Sequence, residues 1–401
     1  MKNVLDVFRE RGLIKQVVYE DELYQKLGSE QMTFYIGFDP TADSLHIGHF
    51  VQMMTIRHML NCGHKAILLL GGGTAMVGDP SGKTAMRKFM TKETINYNNE
   101  CFKKQMGKYI DLSSPNVKVV NNADWLLNLN YIDFLREVGS QFSVNKMLTA
   151  ECFKMRMEKG LSFLEFNYML MQAYDFLMLN RNYGCSLQLG GDDQWSNILA
   201  GADLIRRLDG KPAFAMTFKL LTTTTGEKMG KTVSGAVWLD REKTTPYEFY
   251  QYWRNIEDEK VEDCFNILTF VDVFEIAELV KYKDERMNAS KERLAYEITK
   301  IIHGEKEAEL AQEQSRAAFA GNAELMPTKQ IEKCQKVVDC LVACGLANSK
   351  GEAKRLIEGG GVAIEEQKIE NVLQDIPFEF VEKGEFVLHK GKKIHVKVQF
   401  I

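Results

Sequence analysis

Two histidines with a glycine between them are the most distinctive group of potentially reactive residues in the chain. His46 and His49 stand three residues apart in the segment YIGFDPTADSLHIGH (35–49), where a helix is predicted to begin. At this spacing both imidazoles should project from one face, near the positive end of the helix. Gly48 leaves room for a flat ring against the backbone. Imidazoles and free helix N–H groups would together form a phosphate-binding surface. Two solvated histidines on an amphipathic helix are the alternative.

A second segment, GEKMGKT (226–232), carries two lysines three residues apart in a loop rich in glycine and threonine. A flexible loop bearing Lys228 and Lys231 could close on a polyphosphate. A solvated basic turn explains this segment, taken alone, equally well. Zinc is not indicated at the histidine pair, because the glutamate of H-E-x-x-H is absent, and no Cys/His spacing matches a zinc finger. We therefore expect no tightly bound metal.

A polar stripe is predicted on the helix that starts near Ser162, SFLEFNYMLMQAYDFLML. Tyr168, Gln172 and Asp175 share one face at helical spacing, whereas the other positions are nearly all apolar. The helix should therefore be buried, and a buried carboxylate without a partner is costly. The stripe either closes on itself as a core hydrogen-bond network or lines a cavity. The second interpretation predicts a pocket for a ligand with a hydroxyl and an ammonium group.

Alternating strand and helix patterns must position these residues. Strands are predicted at Thr33–Phe38, Lys65–Leu70, 117–120 and 187–189; helices are predicted at 45–60, capped by Asp43 or Ser44 and stopped by Gly63, and from Tyr131, Ser162 and Asp193. Repeated βαβ units imply an α/β fold, with a Rossmann-like parallel sheet and helices on both faces. Ligands in such sheets bind at the carboxyl ends of the strands, where the topology switches.

The pattern changes after Thr232. Thr245-Pro246 is a typical helix start, and helical patterns dominate to about Ala317. We predict a catalytic domain at 1–232 with an inserted helical and connective segment, an α-helical domain at 233–317, a linker at 318–329 and a small α+β domain at 330–401. Ser349 and Glu352 form a capping-box pattern at a helix start in the last domain.

Composition excludes several classes of protein. The chain has 401 residues, 45% hydrophobic and 26% charged, with a net charge of −4. These values argue against disordered, collagenous and coiled-coil proteins. No apolar run approaches the ~20 residues that span a bilayer, and a secretory h-region is absent. Eight scattered cysteines without a C-x-x-C pair are typical of free thiols. A cytoplasmic protein without a membrane partner is expected, and bulk charge gives no sign of an RNA partner.

Together, the histidine and lysine segments resemble the paired signatures of class I aminoacyl-tRNA synthetases, in the order found in that family. The likeness to the bacterial tyrosyl-tRNA synthetases extends over most of the chain. It is carried by YIGFDPTADSLHIGH, VGDPSGK, YMLMQAYDF, QLGGDDQW and TTPYEFYQYW.

The resemblance implies a role for each matching residue. Tyr35 and Asp175 would bind the phenol of tyrosine, and Asp79, Tyr168 and Gln172 would hold its α-ammonium. The amino acid or the adenylate ribose would be contacted by Asp39, Asp193 and Gln194, and the nucleotide site would also include Gly48, Gly191 and Lys231. The ATP phosphates would be handled by Thr41, His46, His49, Lys83, Arg87, Lys228 and Lys231.

The implied reaction suits these residue types. The tyrosine carboxylate would attack the α-phosphorus of ATP and expel pyrophosphate, and the tyrosyl group would then pass to the 3′-terminal adenosine of tRNA(Tyr). A carboxylate needs no general base, so positioning and charge stabilisation are what the residues must supply. Mg²⁺ would accompany ATP. Recognition of the hydroxyl rejects phenylalanine without editing; this family is itself the standard example, at about 10⁵-fold. The family also implies a homodimer.

The last domain resembles S4-like RNA-binding domains through NSKGEAKRLIEGGGVAI (348–364). Lys350, Lys354 and Arg355 stand at helical spacing and would contact RNA, although an ordinary basic helix face is the alternative. The tail 381–401 holds five Lys and two Glu. Attraction to RNA must therefore come from local charge rather than from the total charge of the chain.

Three residues depart from the usual pattern of the family, and one segment resembles a P-loop without matching it. GDPSGKT (78–84) is not a P-loop, because only three residues separate its glycines. Ile36 stands where many relatives have Cys, and Asp192 replaces a common Ser beside Asp193. Gly230, in place of Ser, is expected to loosen the lysine segment.

Three other functions are alternatives. A tryptophanyl-tRNA synthetase shares the catalytic architecture but is not expected to carry the Tyr168, Gln172 and Asp175 stripe or an S4-like tail. An RNA-binding structural protein, such as a synthetase relative recruited for intron splicing, is a rival from another class; the intact phosphate-handling set argues for activity, and a second role in RNA binding stays open. A nucleotidylyltransferase would share only the histidine helix, and the length and C-terminal tail disfavour it.

Overall fold

The structure is a computed structural model that describes residues 2–81, 89–158, 160–232, 235–320, 326, 328–347, 349–391 and 394–401. In chain order, the elements as far as residue 236 are α1 (Val4–Glu10), β1 (Ile14–Val17), α2 (Glu20–Ser29), β2 (Thr33–Phe38), α3 (Ile47–Asn61), β3 (Lys65–Leu70), α4 (Lys92–Met106), β4 (Val117–Asn121), α5 (Ala123–Leu126), α6 (Tyr131–Glu137), α7 (Val144–Leu148), α8 (Glu151–Met157), α9 (Phe163–Tyr183), β5 (Leu187–Gly191), α10 (Trp195–Asp209), β6 (Phe214–Phe218), β7 (Lys231–Thr232) and β8 (Gly235–Ala236). The later elements are α11 (Pro246–Arg254), α12 (Val261–Leu268), α13 (Val273–Leu279), α14 (Met287–His303), α15 (Glu305–Ala320), β9 (Thr328–Ile331), α16 (Val337–Ala343), α17 (Lys350–Glu358), β10 (Val362–Ile364), β11 (Gln367–Lys368), α18 (Phe378–Lys383), β12 (Glu385–Lys390) and β13 (Ile394–Phe400).

A six-stranded sheet forms the centre of the first part of the chain, in the order β1-β6-β5-β2-β3-β4. Five neighbouring strands run parallel, and four of them, β2 to β5, lie where strands of a parallel sheet were predicted. The sixth, β1, pairs antiparallel with β6 and was not predicted, because IKQV is short and its partner strand lies about 200 residues away. The chain runs from β2 to β3 and β4 on one side, and to β5 and β6 on the other. The topological switch therefore lies between β2 and β5, where a binding site is expected.

The apolar core explains why the sheet holds its helices firmly. Uniformly buried strands such as β5 and β6 are typical of a sheet that is covered on both faces. Phe176 and Leu177 of α9 pack with Ile198 of α10 in one buried cluster that also contains sheet residues. The helix with the predicted polar stripe is therefore fixed against the centre of the sheet.

Helix starts follow local sequence signals, with one correction. Helix α9 begins where a helix start was predicted, and Ser162 caps it in a full capping box with Glu165. Thr245 caps α11 ahead of Pro246, as predicted. The prediction that Asp43 or Ser44 caps the histidine helix was wrong. His46 is the N-cap and α3 begins at Ile47, because an imidazole nitrogen can accept the same backbone hydrogen bond as a carboxylate or hydroxyl.

The described chain divides into two compact units. One comprises residues 1–231, 236–244 and 256–290, and the other comprises 232–235, 245–255 and 291–401. The predicted helical segment 233–317 contributes to both units. The predicted linker begins inside α15 and ends inside β9, and residues 321–325 between them lie outside the described residues.

The second unit includes a five-stranded sheet in the order β11-β10-β12-β13-β9. Its strands pair antiparallel except for β13 with β9. Helices α16 and α17 contribute Leu341 and Ile357 to the same buried cluster as Leu388 and Val398 of the sheet. This confirms the predicted small α+β architecture at the C-terminal end.

The cysteines are unpaired, and most of them are buried. In the part of the chain that the structure describes, each helix is too short or too polar to cross a bilayer.

Candidate active site

A cavity of about 360 Å³ opens at the carboxyl ends of β2 and β5, where the topology switches. Most of the predicted site residues line it: Tyr35, Asp39, Thr41, His46, Gly48, His49, Asp79, Tyr168, Gln172, Asp175, Gly191, Asp193, Gln194 and Lys228. Lys83 and Arg87 lie outside the described residues. The backbone of Lys231 forms part of β7, but its side chain lies outside the described atoms. Segments that are distant in sequence therefore converge on one volume.

Asp175 is buried in this cavity and held by two donors. Trp125 donates its indole N–H to Oδ1 over 2.7 Å, and the Asn122 amide donates to Oδ2 over 2.9 Å. Burial raises the pKa of Asp175 to about 8, although both hydrogen bonds act in the opposite direction. Desolvation of the charged form therefore outweighs its hydrogen bonds when the cavity holds no ligand.

Tyr35 and Gln188 are cross-strand partners on β2 and β5, and both are almost fully buried in the cavity lining. Among the described residues, neither the Tyr35 hydroxyl nor the Gln188 carbonyl oxygen has a hydrogen-bond partner. Burial raises the pKa of Tyr35 well above its ordinary value, and the Asp175 charge acts in the same direction. A buried polar atom without a partner is costly, so these two atoms point to a polar ligand.

A chain of hydrogen bonds runs from Asp175 across the cavity lining. Asn122 also donates to the Thr74 hydroxyl over 2.9 Å, and that hydroxyl donates to Asp39 over 2.8 Å. The other oxygen of Asp39 accepts from Tyr168 over 2.9 Å. These bonds fix the side-chain positions on both sides of the cavity before a ligand enters.

Asp79 is held in a second cluster. Its Oδ2 accepts from the Gln194 amide over 2.7 Å, and its Oδ1 accepts from the backbone N–H of Ser81 over 2.9 Å. Gln194 comes from the turn after β5, so one carboxylate ties two separate segments at the strand ends. Burial raises the pKa of Tyr168 well above its ordinary value, and the charges of Asp39 and Asp79 act in the same direction. This side of the cavity is rich in negative charge and suits an ammonium group.

The two histidines stack with their ring centroids 3.9 Å apart. Nδ1 of His46 accepts from the Gly48 N–H, and Nδ1 of His49 accepts from the His46 N–H. The backbone N–H of His49 donates to the His46 carbonyl, and that of Ile47 donates to Val237. The expectation of free N–H groups at this helix start was therefore wrong, because the His46 ring accepts from one of them and backbone carbonyls accept from the others.

The tautomer of the His49 ring follows from this arrangement. Burial, with the neighbouring His46 charge, places the pKa of His49 well below its ordinary value, so the ring is neutral at pH 7. Because Nδ1 accepts a hydrogen bond, a neutral ring carries its proton on Nε2. His49 can therefore act as a neutral hydrogen-bond donor rather than as a cation.

Lys228 forms a 2.6 Å ion pair with Asp193 at the cavity rim. Gly230 follows two residues later at φ +87°, and a Cβ there would lie 3.0 Å from the Ile47 Cβ. Glycine is therefore favoured at this position both by conformation and by close contact with the first residue of α3. This differs from the expectation that Gly230 loosens the segment: here it permits close packing against the histidine helix.

Sequence reasoning missed four residues of the site: Thr74, Asn122, Trp125 and Gln188. Gln188 opens the QLGGDDQW segment, so a signal for it was available. Asn122 and Trp125 directly follow β4, the kind of position at which parallel strands present site residues. No local pattern shows that they contact α9, because that contact spans about 50 residues and depends on the tertiary fold.

The predicted RNA-contacting residues lie in the second unit. Lys350, Lys354 and Arg355 are exposed on α17, and Lys350 pairs with Asp339 over 2.7 Å. Ser349 caps this helix by accepting from the backbone N–H of Glu352. Within the described residues, no group of three or more His, Cys, Asp or Glu side chains is arranged to hold a metal ion.

Comparison with known proteins gives consistent matches over the whole chain. The family described as tRNA synthetases class I (W and Y) matches residues 27–320, and the tyrosine–tRNA ligase SYY-like C-terminal domain matches 319–398. A tyrosine–tRNA ligase of Clostridium kluyveri is 56% identical, with 99% of each chain covered. A tyrosine–tRNA ligase of Clostridium botulinum is 57% identical, with 98% of each chain covered. Among solved structures, the C-terminally truncated mitochondrial tyrosyl-tRNA synthetase of Aspergillus nidulans is 30% identical with a TM-score of 0.71, covering 80% of this chain and 95% of that one.

Proposed function

Because the chain belongs to the tyrosine–tRNA ligase family of class I aminoacyl-tRNA synthetases, we propose that tyrosyl-adenylate forms in the cavity at the ends of β2 and β5. The enzyme activates L-tyrosine with ATP, releases pyrophosphate and transfers the tyrosyl group to tRNA(Tyr). The proposal concerns which residues of this chain perform each part of that reaction.

Asp175 and Tyr35 are proposed to bind the phenol of tyrosine. The observation that carries this assignment is the buried Tyr35 hydroxyl, which has no hydrogen-bond partner among the described residues and lines the same cavity as Asp175. A phenol hydroxyl both donates and accepts, so it can donate to the carboxylate and accept from Tyr35. Trp125 and Asn122 would hold the carboxylate in position for that contact. Phenylalanine would leave these groups unpaired.

Asp79, Tyr168 and Gln172 are proposed to hold the α-ammonium of tyrosine. Tyr168 is already hydrogen-bonded to Asp39, and Asp79 is fixed by Gln194 and Ser81. The carboxylates supply negative charge, and the Tyr168 hydroxyl and the Gln172 amide oxygen supply further acceptors for an ammonium that can donate three hydrogen bonds. This would orient the tyrosine carboxylate toward the nucleotide.

The ATP side of the site is proposed to comprise two groups. Thr41, His46, His49, Lys83, Arg87, Lys228 and Lys231 would contact the phosphates, and Asp39, Gly48, Gly191, Asp193, Gln194 and Lys231 would contact the rest of the nucleotide or adenylate. The neutral His49 ring can donate from Nε2 to a phosphate oxygen, and lysines add positive charge as pyrophosphate leaves. Such donors, fixed before the reaction, stabilise a transition state without reorganising. Mg²⁺ would arrive as the ATP complex, because phosphate oxygens suit its preference for oxygen ligands.

The assignments can be tested by measuring tyrosine-dependent ATP–pyrophosphate exchange in single variants. Asp175→Ala should raise the KM for tyrosine far more than that for ATP, and Lys228→Ala should do the reverse or lower kcat. Asp203→Ala, which changes a carboxylate that lines a separate pocket, is the control. Equal effects of all three changes would contradict the assignments.

The C-terminal region is proposed to bind tRNA through the face that carries Lys350, Lys354 and Arg355. All three are exposed on α17, so their charges are accessible to a phosphate backbone.

We also propose that the chain divides into a catalytic domain (1–232), a helical domain (233–317), a linker (318–329) and an RNA-binding domain (330–401). Limited proteolysis followed by mass spectrometry tests the division, because cleavage should concentrate within 318–329.

A homodimer is proposed on the resemblance, and exposed apolar side chains support it. Within 131–164, Tyr131, Ile132, Val144 and Phe163 are each more than half exposed. Exposed apolar surface of this kind is typical of interfaces between chains. Sedimentation should give twice the mass of one chain, and Phe163→Asp should shift the equilibrium toward monomer. A monomer at micromolar concentration would contradict this.

A cytoplasmic location is also proposed. The free cysteines support it, because disulfides are rare in the cytosol.

A further inference from the structure

The lysine segment lies on a compact turn, which we call the lysine hairpin (221–229). The backbone N–H of Met229 donates to the Leu221 carbonyl over 2.9 Å, and that of Thr223 donates to Glu227 over 2.8 Å. Gly226 closes the turn at φ +84°. Lys228 lies on the returning arm, bridged to Thr222, and Thr224 lies in the turn that joins the two arms. Since the arms are bonded together, holding the turn also fixes the arm that carries Lys228.

Glu257 holds the turn of the hairpin from outside. Its Oε2 accepts from the backbone N–H of Thr224 over 2.7 Å, and its Oε1 accepts from the Thr224 hydroxyl over 2.6 Å. Both carboxylate oxygens are therefore directed at one residue, 33 positions away in the chain. These hydrogen bonds keep the pKa of Glu257 below its ordinary value, so the carboxylate is ionised at pH 7. Hydrogen bonds to a charged acceptor are stronger than neutral ones and, when paired, restrict orientation.

The backbone that carries Glu257 is itself firmly placed. Ile256 before it is buried, and α12 starts four residues later with the fully buried Val261. At the other end of α12, the Arg11 guanidinium donates to the carbonyl of Asn266, in the last turn, and to that of Thr269, directly after it. Glu257 is therefore attached to the packed scaffold rather than to another surface loop.

The same scaffold holds the histidine helix. Phe270, just beyond α12, packs on His58 of α3 with ring centroids 4.9 Å apart, and the Arg57 guanidinium lies 4.4 Å from the Phe270 ring centroid. The segment around α12, which supports the lysine hairpin through Glu257, is thus packed against α3, which His46 caps. Lys228 and the two histidines are therefore positioned by elements that contact each other.

We propose that Glu257 is a positioning residue for adenylate formation, anchoring Thr224 so that the lysine hairpin presents Lys228 to the ATP phosphates. The inference rests on the proposed role of Lys228. In the structure Lys228 is paired with Asp193, so engaging a phosphate requires it to leave that carboxylate. With the hairpin anchored, only the side chain has to move. Without the anchor, the whole hairpin must be ordered during the reaction, which slows the step that uses Lys228.

The test compares Glu257→Gln with Glu259→Gln, a matched change of another exposed glutamate two residues away. Single-turnover adenylate formation, the tyrosine Kd and the rate of transfer to tRNA are measured for each. Glu257→Gln should slow adenylate formation about tenfold, because one neutral acceptor replaces a charged pair. The tyrosine Kd and the transfer rate should stay within about twofold of the unmodified enzyme, because the proposed anchor acts only through Lys228.

Variants of Thr224 complete the experiment. Thr224→Val should slow adenylate formation, whereas Thr224→Ser, which keeps the hydroxyl, should leave it near the unmodified rate. The double variant Glu257→Gln/Thr224→Val should be no slower than the slower of the two single variants. If Glu257→Gln matches Glu259→Gln, or impairs tyrosine binding and transfer equally, the anchoring role is wrong. If Lys228→Ala leaves adenylate formation unchanged, the proposed role of the lysine is wrong and the inference falls with it. An impaired Lys228→Ala beside a normal Glu257→Gln refutes the anchor alone.

Discussion

The indole N–H of Trp125 donates a 2.7 Å hydrogen bond to Oδ1 of Asp175, so a residue that follows β4 fixes the carboxyl group on α9. Asn122 holds the other oxygen. A carboxylate that is supported on both oxygens keeps one orientation, and recognition of a single hydroxyl depends on that orientation. Much of the specificity of the site should therefore depend on residues beyond those that touch tyrosine.

Trp125→Phe should weaken tyrosine binding about tenfold or more, because it leaves a buried carboxyl oxygen short of one hydrogen bond. The KM for ATP should change little. Equilibrium dialysis with labelled tyrosine gives the Kd, and Trp195→Phe serves as the control because Trp195 lines a separate apolar pocket. If both variants bind tyrosine equally well, the indole N–H does not support Asp175.

Asn122→Ala should be more damaging than Trp125→Phe. Its amide donates to both Asp175 and Thr74, and its carbonyl oxygen accepts from the Gly73 N–H over 2.7 Å. We expect a rise in the KM values for both substrates, because Thr74 carries the network on to Asp39. Asn128→Ala, a change of an exposed asparagine, is the control. An effect confined to tyrosine would contradict this coupling.

Stability of the ligand-free enzyme should depend on pH through Asp175. Its pKa is raised to about 8 in the folded chain, so between about pH 4 and pH 8 the folded state holds a proton that the unfolded state has lost. The contribution of Asp175 to the free energy of unfolding therefore falls as pH rises through this window, by at most about 1.4 kcal/mol per pH unit. Urea unfolding of the unmodified and Asp175→Asn enzymes should give a stability difference that changes across pH 5–8. Parallel curves would show that Asp175 does not titrate there.

Gly230→Ser should destabilise the enzyme and slow adenylate formation. The residue sits at φ +87°, and its Cβ would lie 3.0 Å from Ile47. Gly210→Ser separates the two causes, because Gly210 has φ +63° with open space around its Cβ position. We expect Gly230→Ser to lower the Tm more than Gly210→Ser does. The contact with Ile47 should add to the destabilisation of roughly 1 kcal/mol that is typical of a positive φ alone. Equal shifts would show that the contact with Ile47 is unimportant.

Lys354→Ala combined with Arg355→Ala should raise the KM for tRNA(Tyr) several-fold and reduce its dependence on salt, because two phosphate-binding charges are lost. Adenylate formation should be unchanged. Lys333→Ala, a change of an exposed lysine outside α17 and outside the tail 381–401, is the matched control. Charging kinetics at two salt concentrations measure the effect. An unchanged salt dependence would restrict the role of α17 to structure.

Much of the site could be predicted because its residues stand in short segments with strong local patterns. The histidine pair, the polar stripe of α9 and the strands β2 and β3 all follow from spacing and apolar runs within about 20 residues. The predicted helix cap was wrong because a histidine side chain replaced the residue types that usually cap. The backbone N–H groups expected to bind phosphate are bonded to the His46 ring and to the His46 and Val237 carbonyls. Strand β1 was missed because its pairing with β6 joins segments about 200 residues apart.

The supporting residues could not be predicted for a related reason. Trp125 and Asn122 act on Asp175 across about 50 residues, and Glu257 acts on Thr224 across 33. Such contacts exist only once the sheet order and helix packing are set. Sequence patterns identify groups that perform chemistry more readily than the groups that hold them in place.

The most direct test of the account is the ratio of tyrosine to phenylalanine in amino-acid-dependent ATP–pyrophosphate exchange, measured for the unmodified and Asp175→Ala enzymes. Circular dichroism confirms that both are folded. The account predicts that kcat/KM for tyrosine falls at least a hundredfold while that for phenylalanine changes little, so that discrimination collapses. An unchanged ratio in a folded Asp175→Ala enzyme would contradict it, because the phenol would then be recognised elsewhere.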